Sequence, residues 1–319
     1  MANQGNYPKL QPVQNILVCL DLTAIDTFLI TYAAFMAKTL PARKVIFFHA
    51  IQAYDLPDRS SKDFPDVETE LNAMIREELH KSVDTHFEEQ CQWEVATQVG
   101  YIDAAKEIIE FIRENSIDLT LIGQKYGENR EARYSHKISA EASSDILFVP
   151  QYAEKSIDPI LCAVDFSRHS AKAFERALDF SRAWGVAMNC WFVADPTRAY
   201  FPATTGRSLN YYQQQAMKAR KKFLKSYGLS PGDIPCRVEV GDQMKSEAED
   251  IYQVAVDAEA RLIVVGARGD AASVTSPLGN LTESFRLMEK EIPVMITKNL
   301  QQKRFSFSWL WKKINKARA

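Results

Sequence analysis

Three glycines in the second half of the chain have the spacing of an anion-binding loop. The apolar run Leu262-Ile-Val-Val265 ends in Gly266-Ala-Arg268-Gly269, and after nine intervening residues the chain reaches Gly279-Asn280-Leu281-Thr282. A short run rich in β-branched residues predicts a buried parallel strand, and glycines after such a strand let backbone N–H groups approach a phosphate. The spacing therefore favours a phosphate-binding loop, with a tight turn that binds nothing as the alternative.

The first half repeats this pattern but keeps only the first of the glycines. Leu119-Thr-Leu-Ile122 leads into Gly123, and at the offset of 143 residues Tyr126 and His136 stand where the second half has its two later glycines. The same segment carries several basic side chains: Lys125, Arg130, Arg133, His136 and Lys137. Either the first site is lost, which we favour, or it binds a different anion through side chains.

The composition indicates a globular chain with room for two domains, because 319 residues are 46% hydrophobic and 25% charged. A formal net charge of -2 gives no overall attraction to nucleic acid, so we expect no nucleic-acid partner. Five cysteines without a CxxC pair indicate a reducing compartment. The sequence starts without a basic-then-apolar leader and has no run long enough to cross a bilayer. We therefore expect a cytoplasmic protein.

Each half contains five short apolar runs, and the segments between them have the spacing of apolar residues that is typical of helices. Strands alternating with helices predict an α/β fold with a parallel sheet covered on both faces. The predicted strands are Ile16–Leu20, Val45–His49, Trp93–Val99, Leu119–Ile122 and Ile146–Val149, then Ile160–Val164, Met188–Val193, Cys236–Val240, Leu262–Val265 and Val294–Thr297. Ligands of such sheets bind at the carboxyl ends of the strands, which places Asp21 and Asp165 beside the loops that follow Gly123 and Gly266.

The longest connection of each half also has helical spacing. In the first half it predicts one buried face formed by Val67, Leu71, Met74, Leu79, Val83 and Phe87. Its counterpart near Tyr211–Tyr227 carries Lys218, Arg220, Lys221, Lys222 and Lys225. We interpret these charges as a solvated face, with contact to an acidic partner as the alternative.

These residues resemble the universal stress protein family. Gly266-x2-Gly269-x9-Gly279-Asn280 matches that family's G-x2-G-x9-G-[S/T] nucleotide motif, with Asn280 in place of the hydroxyl residue. Ala163-Val-Asp165-Phe-Ser167 and, in the first half, Cys19-Leu-Asp21-Leu-Thr23 extend the match to nearly the whole chain. The resemblance implies two such domains, at 1–152 and 153–300, followed by a basic aromatic tail at 301–319.

The resemblance also implies the fold and the ligand. The family has a doubly wound five-stranded parallel sheet of the adenine nucleotide α-hydrolase type, so two tandem domains of this kind are expected. Many members bind ATP without rapid turnover, and ATP, with or without Mg2+, is the expected cofactor. Asp165 would approach the adenosine and Val193 would meet adenine through its backbone. The phosphates would be held by Gly266, Arg268, Gly269, Gly279, Asn280 and Thr282. An asparagine amide can donate to a phosphate oxygen as a hydroxyl does.

Three classes of function are compatible with this pattern. The first, which we favour, is a non-enzymatic stress regulator that binds one adenine nucleotide in the second half. The second is a slow ATPase or nucleotidyl transferase, which is disfavoured because no His-x-x-His or Gly-Lys-[Ser/Thr] motif supplies its chemistry. The third is a nucleotide-independent module that acts on a protein or membrane partner. The sequence identifies neither metal ligands nor the oligomeric state, and a homodimer stays open.

The two halves are expected to pack as an internal pseudo-dimer, because duplicated units reuse the surface by which separate copies would pair. The resemblance implies that the edge strands Ile146–Val149 and Val294–Thr297 meet at the seam. Their pairing would cover two edges that otherwise invite aggregation.

The tail predicts a basic amphipathic helix. Phe307, Leu310, Trp311 and Ile314 are spaced at i, i+3, i+4 and i+7, and the basic residues of 303–318 surround that face. Docking on the protein itself or on a partner subunit is the alternative that we favour over an anionic membrane contact. If the tail contacts an anionic membrane, the full chain will co-sediment weakly with anionic vesicles and salt will release it. A chain ending at Leu300 will not bind. Equal co-sedimentation of the two chains would contradict the membrane contact.

Overall fold

Strands and helices alternate through most of the described part of the chain. The computed structural model describes residues 12–40, 42–52, 67–100, 103–124, 131–166, 168–194, 206–240, 247–267, 284–285, 288 and 290–298. The first half contains β1 (Asn15–Leu20), α1 (Ile25–Thr39), β2 (Lys44–Gln52), α2 (Val67–His86), β3 (Gln92–Gly100), α3 (Ala104–Glu114), β4 (Leu119–Gln124), α4 (Glu131–Glu141) and β5 (Asp145–Pro150). The second contains β6 (Ile160–Ala163), α5 (Arg168–Trp184), β7 (Met188–Ala194), α6 (Gly206–Ser226), β8 (Cys236–Val240), α7 (Glu247–Asp257), β9 (Leu262–Gly266) and β10 (Val294–Thr297).

The ten strands form one sheet in the order β3-β2-β1-β4-β5-β10-β9-β6-β7-β8. Each half contributes five parallel strands in the same doubly wound order, as predicted for the α/β class. The halves meet where β10 pairs antiparallel with β5, with Val294 opposite Phe148 and Ile296 opposite Ile146. The predicted seam is therefore confirmed, and all ten predicted strands are present with small shifts at their ends.

The helices cover both faces of the sheet, as the alternating pattern predicts. Buried residues of α1, α2, α5 and α6 pack on one face, and those of α3, α4 and α7 pack on the other. Helix α3 shows why the sequence folds this way. Asp103 caps its start by accepting a hydrogen bond from the Ala105 amide at 3.0 Å, and Ala105, Ile108 and Ile112 form its buried stripe.

One residue of helix α2, Met74, was predicted to be buried and is exposed in the structure. Met74 is 67% exposed, whereas Leu79 and Val83 are buried. The buried stripe has a spacing of four residues and includes Ile75, which packs against the core. Because a residue adjacent to that stripe is rotated by about 100° around the helix, Met74 faces away from the sheet.

Tyr32 on α1 carries a buried hydroxyl that forms no hydrogen bond with any described residue. Burial also raises the pKa of this phenol beyond its ordinary range. An unpaired buried donor destabilises a fold, so we expect Tyr32→Phe to raise the free energy of unfolding by about 1 kcal/mol in urea denaturation. The matched control is Tyr227→Phe, which should lower it by about 1 kcal/mol, because the Tyr227 hydroxyl donates to Glu175 at 2.8 Å. A loss of stability in the Tyr32 variant would contradict this account.

Candidate functional site

The second half brings Asp165 and Gly266 to the same edge of the sheet. Strands β6 and β9 are parallel neighbours, with Cys162 opposite Val264, and the connections leave them in opposite directions. Asp165 follows β6, and Gly266 is the last residue of β9. In a doubly wound sheet this switch point is where a ligand binds. The two predicted site residues that the structure describes in full therefore lie where the fold class requires them.

The backbone after Gly266 is fixed to the neighbouring strand. The Ala267 amide donates to the carbonyl oxygen of Thr297 at 3.0 Å, which extends the pairing of β9 with β10 by one residue. The loop beyond therefore starts from a defined position at the carboxyl edge of the sheet.

The segment after Asp165 is also held in place. Phe166 has a φ of 57°, a left-handed conformation that is uncommon for a residue with a side chain. Its ring lies 5.1 Å from the ring of Phe192 and 5.7 Å from that of Phe223. Leu22, the residue after Asp21, has the same conformation with a φ of 63°, so both halves turn alike after their first strand.

The remaining predicted site residues are only partly described. Val193 lies in β7, as predicted, but its side chain is outside the described part. Arg268, Gly269, Gly279, Asn280 and Thr282 lie outside the described residues, as do Tyr126 and the tail. The assignment of Arg268, Gly269, Gly279, Asn280 and Thr282 as phosphate contacts therefore stays a prediction.

In the first half, Gly123 and Lys137 both have close side-chain neighbours. A Cβ added at Gly123 would lie 3.1 Å from Cδ1 of Ile25, so the start of α1 packs directly against the end of β4. Lys137, one of the predicted anion-binding cations, forms an ion pair with Asp103 at 2.5 Å. These contacts favour the interpretation that the first site is lost.

Asp26 in α1 is a buried carboxyl group that the sequence analysis missed. It is 6% exposed and accepts hydrogen bonds from the amides of Asp21 at 3.2 Å and Leu22 at 2.8 Å. Burial and the negative charge of Asp21 raise the pKa of Asp26 to about 7. Its place in the first turn of a helix, five residues after a strand-ending aspartate, was the available signal.

The raised pKa predicts a stability that decreases as the pH rises. From pH 3.8 to about 7 the folded chain keeps a proton on Asp26 that the unfolded chain has released, so this contribution is complete in acid and lost near neutrality. We expect Asp26→Asn to flatten the change of Tm between about pH 5 and pH 7. Asp84→Asn, at an exposed site on α2, should leave that profile unchanged. A wild-type profile in the Asp26 variant would contradict the assignment.

A second charged cluster lies at the seam, again at the carboxyl edge of the second half. Asp145, 2% exposed, accepts from Lys172 Nζ at 2.8 Å and from two nitrogens of Arg176, Nε at 3.1 Å and Nη2 at 3.0 Å. Its Oδ1 also accepts from the Lys298 amide at 2.8 Å, and Lys172 donates to the Lys298 carbonyl oxygen. A carboxylate from the first half thus joins helix α5 to the end of β10.

The signals for this cluster in the sequence were weak. Lys172 and Arg176 have the i, i+4 spacing of one helix face, and Asp145 precedes an apolar strand. The sequence does not show which charged residue of one half contacts which charged residue of the other half across the seam.

The described residues offer neither a cluster of metal ligands nor a membrane-spanning helix. They contain no group of three or more His, Cys, Asp or Glu side chains that could hold a metal ion. Within them, no helix is long and apolar enough to cross a membrane.

Comparison with known proteins agrees with the fold of both halves. A universal stress protein from Archaeoglobus fulgidus superposes with a TM-score of 0.62 at 17% identity, covering 90% of this chain and 97% of that one. A functionally unknown protein from Pseudomonas aeruginosa superposes with a TM-score of 0.61 at 13% identity, covering 91% and 94%. At these identities the likeness shows the fold alone.

The family comparison is confined to the second half. The sequence matches no curated protein. The model of the universal stress protein family matches residues 156–297, which contain Asp165, Val193 and the complete glycine pattern. The second half of this chain therefore carries one universal stress protein domain, on a fold that runs through both halves.

Proposed function

We propose that this chain is a stress-response regulator that binds one ATP or related adenine nucleotide in its second half and turns it over slowly or not at all. The observation that carries the proposal is the position of Asp165 and Gly266 at the ends of neighbouring strands, at the switch point of the half that the family model matches. The backbone of a glycine loop there can surround a phosphate.

Each predicted residue has a role in this proposal. Asp165 contacts the adenosine, and Val193 contacts adenine through its backbone. The phosphates are held by Gly266, Arg268, Gly269, Gly279, Asn280 and Thr282, with Mg2+ as an additional counter-charge where it is present. The roles follow the residue types, since backbone N–H groups, a guanidinium, an amide and a hydroxyl all donate to phosphate oxygens.

We infer tandem domains at 1–152 and 153–300, of which only the second binds nucleotide, and a basic aromatic tail at 301–319. The contact of Ile25 with Gly123 and the ion pair of Lys137 with Asp103 support one site per chain. We also propose a cytoplasmic location, and we leave the oligomeric state open.

The test combines released ligand with stoichiometry. Mass spectrometry of the supernatant from denatured, freshly purified protein should detect an adenine nucleotide. Titration of the nucleotide-free chain with ATP in a calorimeter should show one site. Two equal sites, or no binding by a folded chain, would contradict the proposal. Sustained release of ADP over many turnovers would show that the chain is an enzyme and not a regulator that only binds the nucleotide.

A further inference from the structure

We propose that the indole N–H of Trp191 donates a hydrogen bond to the nucleotide in the second half, which makes Trp191 a binding residue of that site. This inference rests on the proposed function. It concerns a residue that neither the glycine pattern nor the predicted site includes.

Trp191 has a donor without an acceptor. The side chain is 2% exposed, and Nε1 is buried with no hydrogen-bond partner in the part of the chain that the structure describes. A buried tryptophan normally pairs its N–H, because leaving it unpaired costs the free energy of its desolvation. The unpaired donor is therefore a feature that needs an acceptor from elsewhere.

The residue lies next to the switch point. Trp191 is opposite Ala163 in the pairing of β7 with β6, and Ala163 stands two residues before Asp165. Its side chain belongs to the same buried cluster as Val265, which directly precedes Gly266. Trp191 therefore lies on the strand next to β6, opposite the residue two positions before Asp165, and on the same sheet face as Val265.

The first half provides an internal comparison. There the residue opposite Cys19, two positions before Asp21, is Phe48. Phe48 is 1% exposed and packs its ring 4.5 Å from that of Phe111. An aromatic hydrocarbon therefore meets the packing requirement at this position, and the half that retains the glycines is the one that adds an N–H.

The chemistry of the donor restricts its acceptor. An indole N–H only donates and carries no charge, so it suits a ring nitrogen of adenine, a ribose oxygen or a phosphate oxygen. In a site shielded from water such a bond is stronger than in solution. An adenine nucleotide offers all three acceptors.

The experiment replaces the donor and keeps the ring. In the full chain, Trp191→Phe should weaken ATP binding by about three- to tenfold in calorimetry, the effect of one lost hydrogen bond. The same variant should unfold at an equal or higher temperature without ligand, because it removes an unpaired donor. The matched control is Trp184→Phe, which lies in the cluster on the other sheet face and should change ATP binding by less than about twofold.

The outcomes separate the two claims. A more stable variant with unchanged affinity would show that the N–H is only a packing defect and would overturn the inference. If the variant is less stable, the indole N–H resonance of Trp191 in the NMR spectrum of the wild-type protein tests the contact instead. A shift of this resonance on saturation with ATP, while the Trp184 resonance does not move, supports the contact. No shift overturns the inference. Failure of the wild-type chain itself to bind ATP overturns the proposed function and this inference with it.

Discussion

Asp145→Ala is expected to destabilise the chain by about 3–5 kcal/mol in urea denaturation at neutral pH. The substitution leaves Lys172 and Arg176, with 12% and 7% exposed side chains, without the carboxylate that both contact. It also removes the acceptor of the Lys298 amide. Taking one partner from a buried ion pair costs more than the pair contributes, because the remaining charge stays out of water.

The matched control is an exposed ion pair. Arg261 and Glu154 lie 2.9 Å apart with 40% and 61% of their side chains exposed. Glu154→Ala should change stability by about 1 kcal/mol at most, because water screens such pairs. If the two alanine variants are equally stable, the seam cluster does not hold the halves together.

Gly279→Val is expected to weaken ATP binding by about a hundredfold or more, the loss of one or two hydrogen bonds to a charged group. A β-branched side chain would occupy the space through which the backbone must approach a phosphate. Calorimetry with the variant measures the change, and its Tm should stay within a few degrees of wild type. The matched control is His136→Val at the equivalent position of the first half, which should leave ATP binding unchanged. Unchanged affinity in the Gly279 variant would contradict the assignment of the loop.

The fold was predictable because it depends on local patterns. Runs such as Leu262–Val265 and Ile146–Val149 are apolar throughout, as strands covered on both faces must be, and their repetition gave the two halves. Met74 was misassigned because the apolar count ignored the rotation of the helix relative to the stripe through Ile75 and Leu79.

The candidate site was predictable only where it depends on backbone. Asp165 and Gly266 follow from strand ends, which the sequence marks clearly. Asp26, Asp145 and Trp191 were missed because their properties arise from burial and from contacts with distant parts of the chain. A residue type alone does not show whether a carboxylate meets another acid, two cations or nothing.

Because the two halves belong to one chain, the two sides of the seam can differ in sequence, which the two sides of a symmetric dimer contact cannot. In a dimer of identical chains, every residue of the contact occurs twice, related by the two-fold axis. Here each position occurs once. Counting from the aspartate that follows the first strand of each half, Lys172 and Arg176 correspond to Phe28 and Tyr32, which pack with Tyr152 and Phe35 as an aromatic group. Fusion therefore lets equivalent positions of the two halves differ in chemistry. Lys172 and Arg176 form ion pairs with Asp145 across the seam, whereas Phe28 and Tyr32 pack in an aromatic group within the first half.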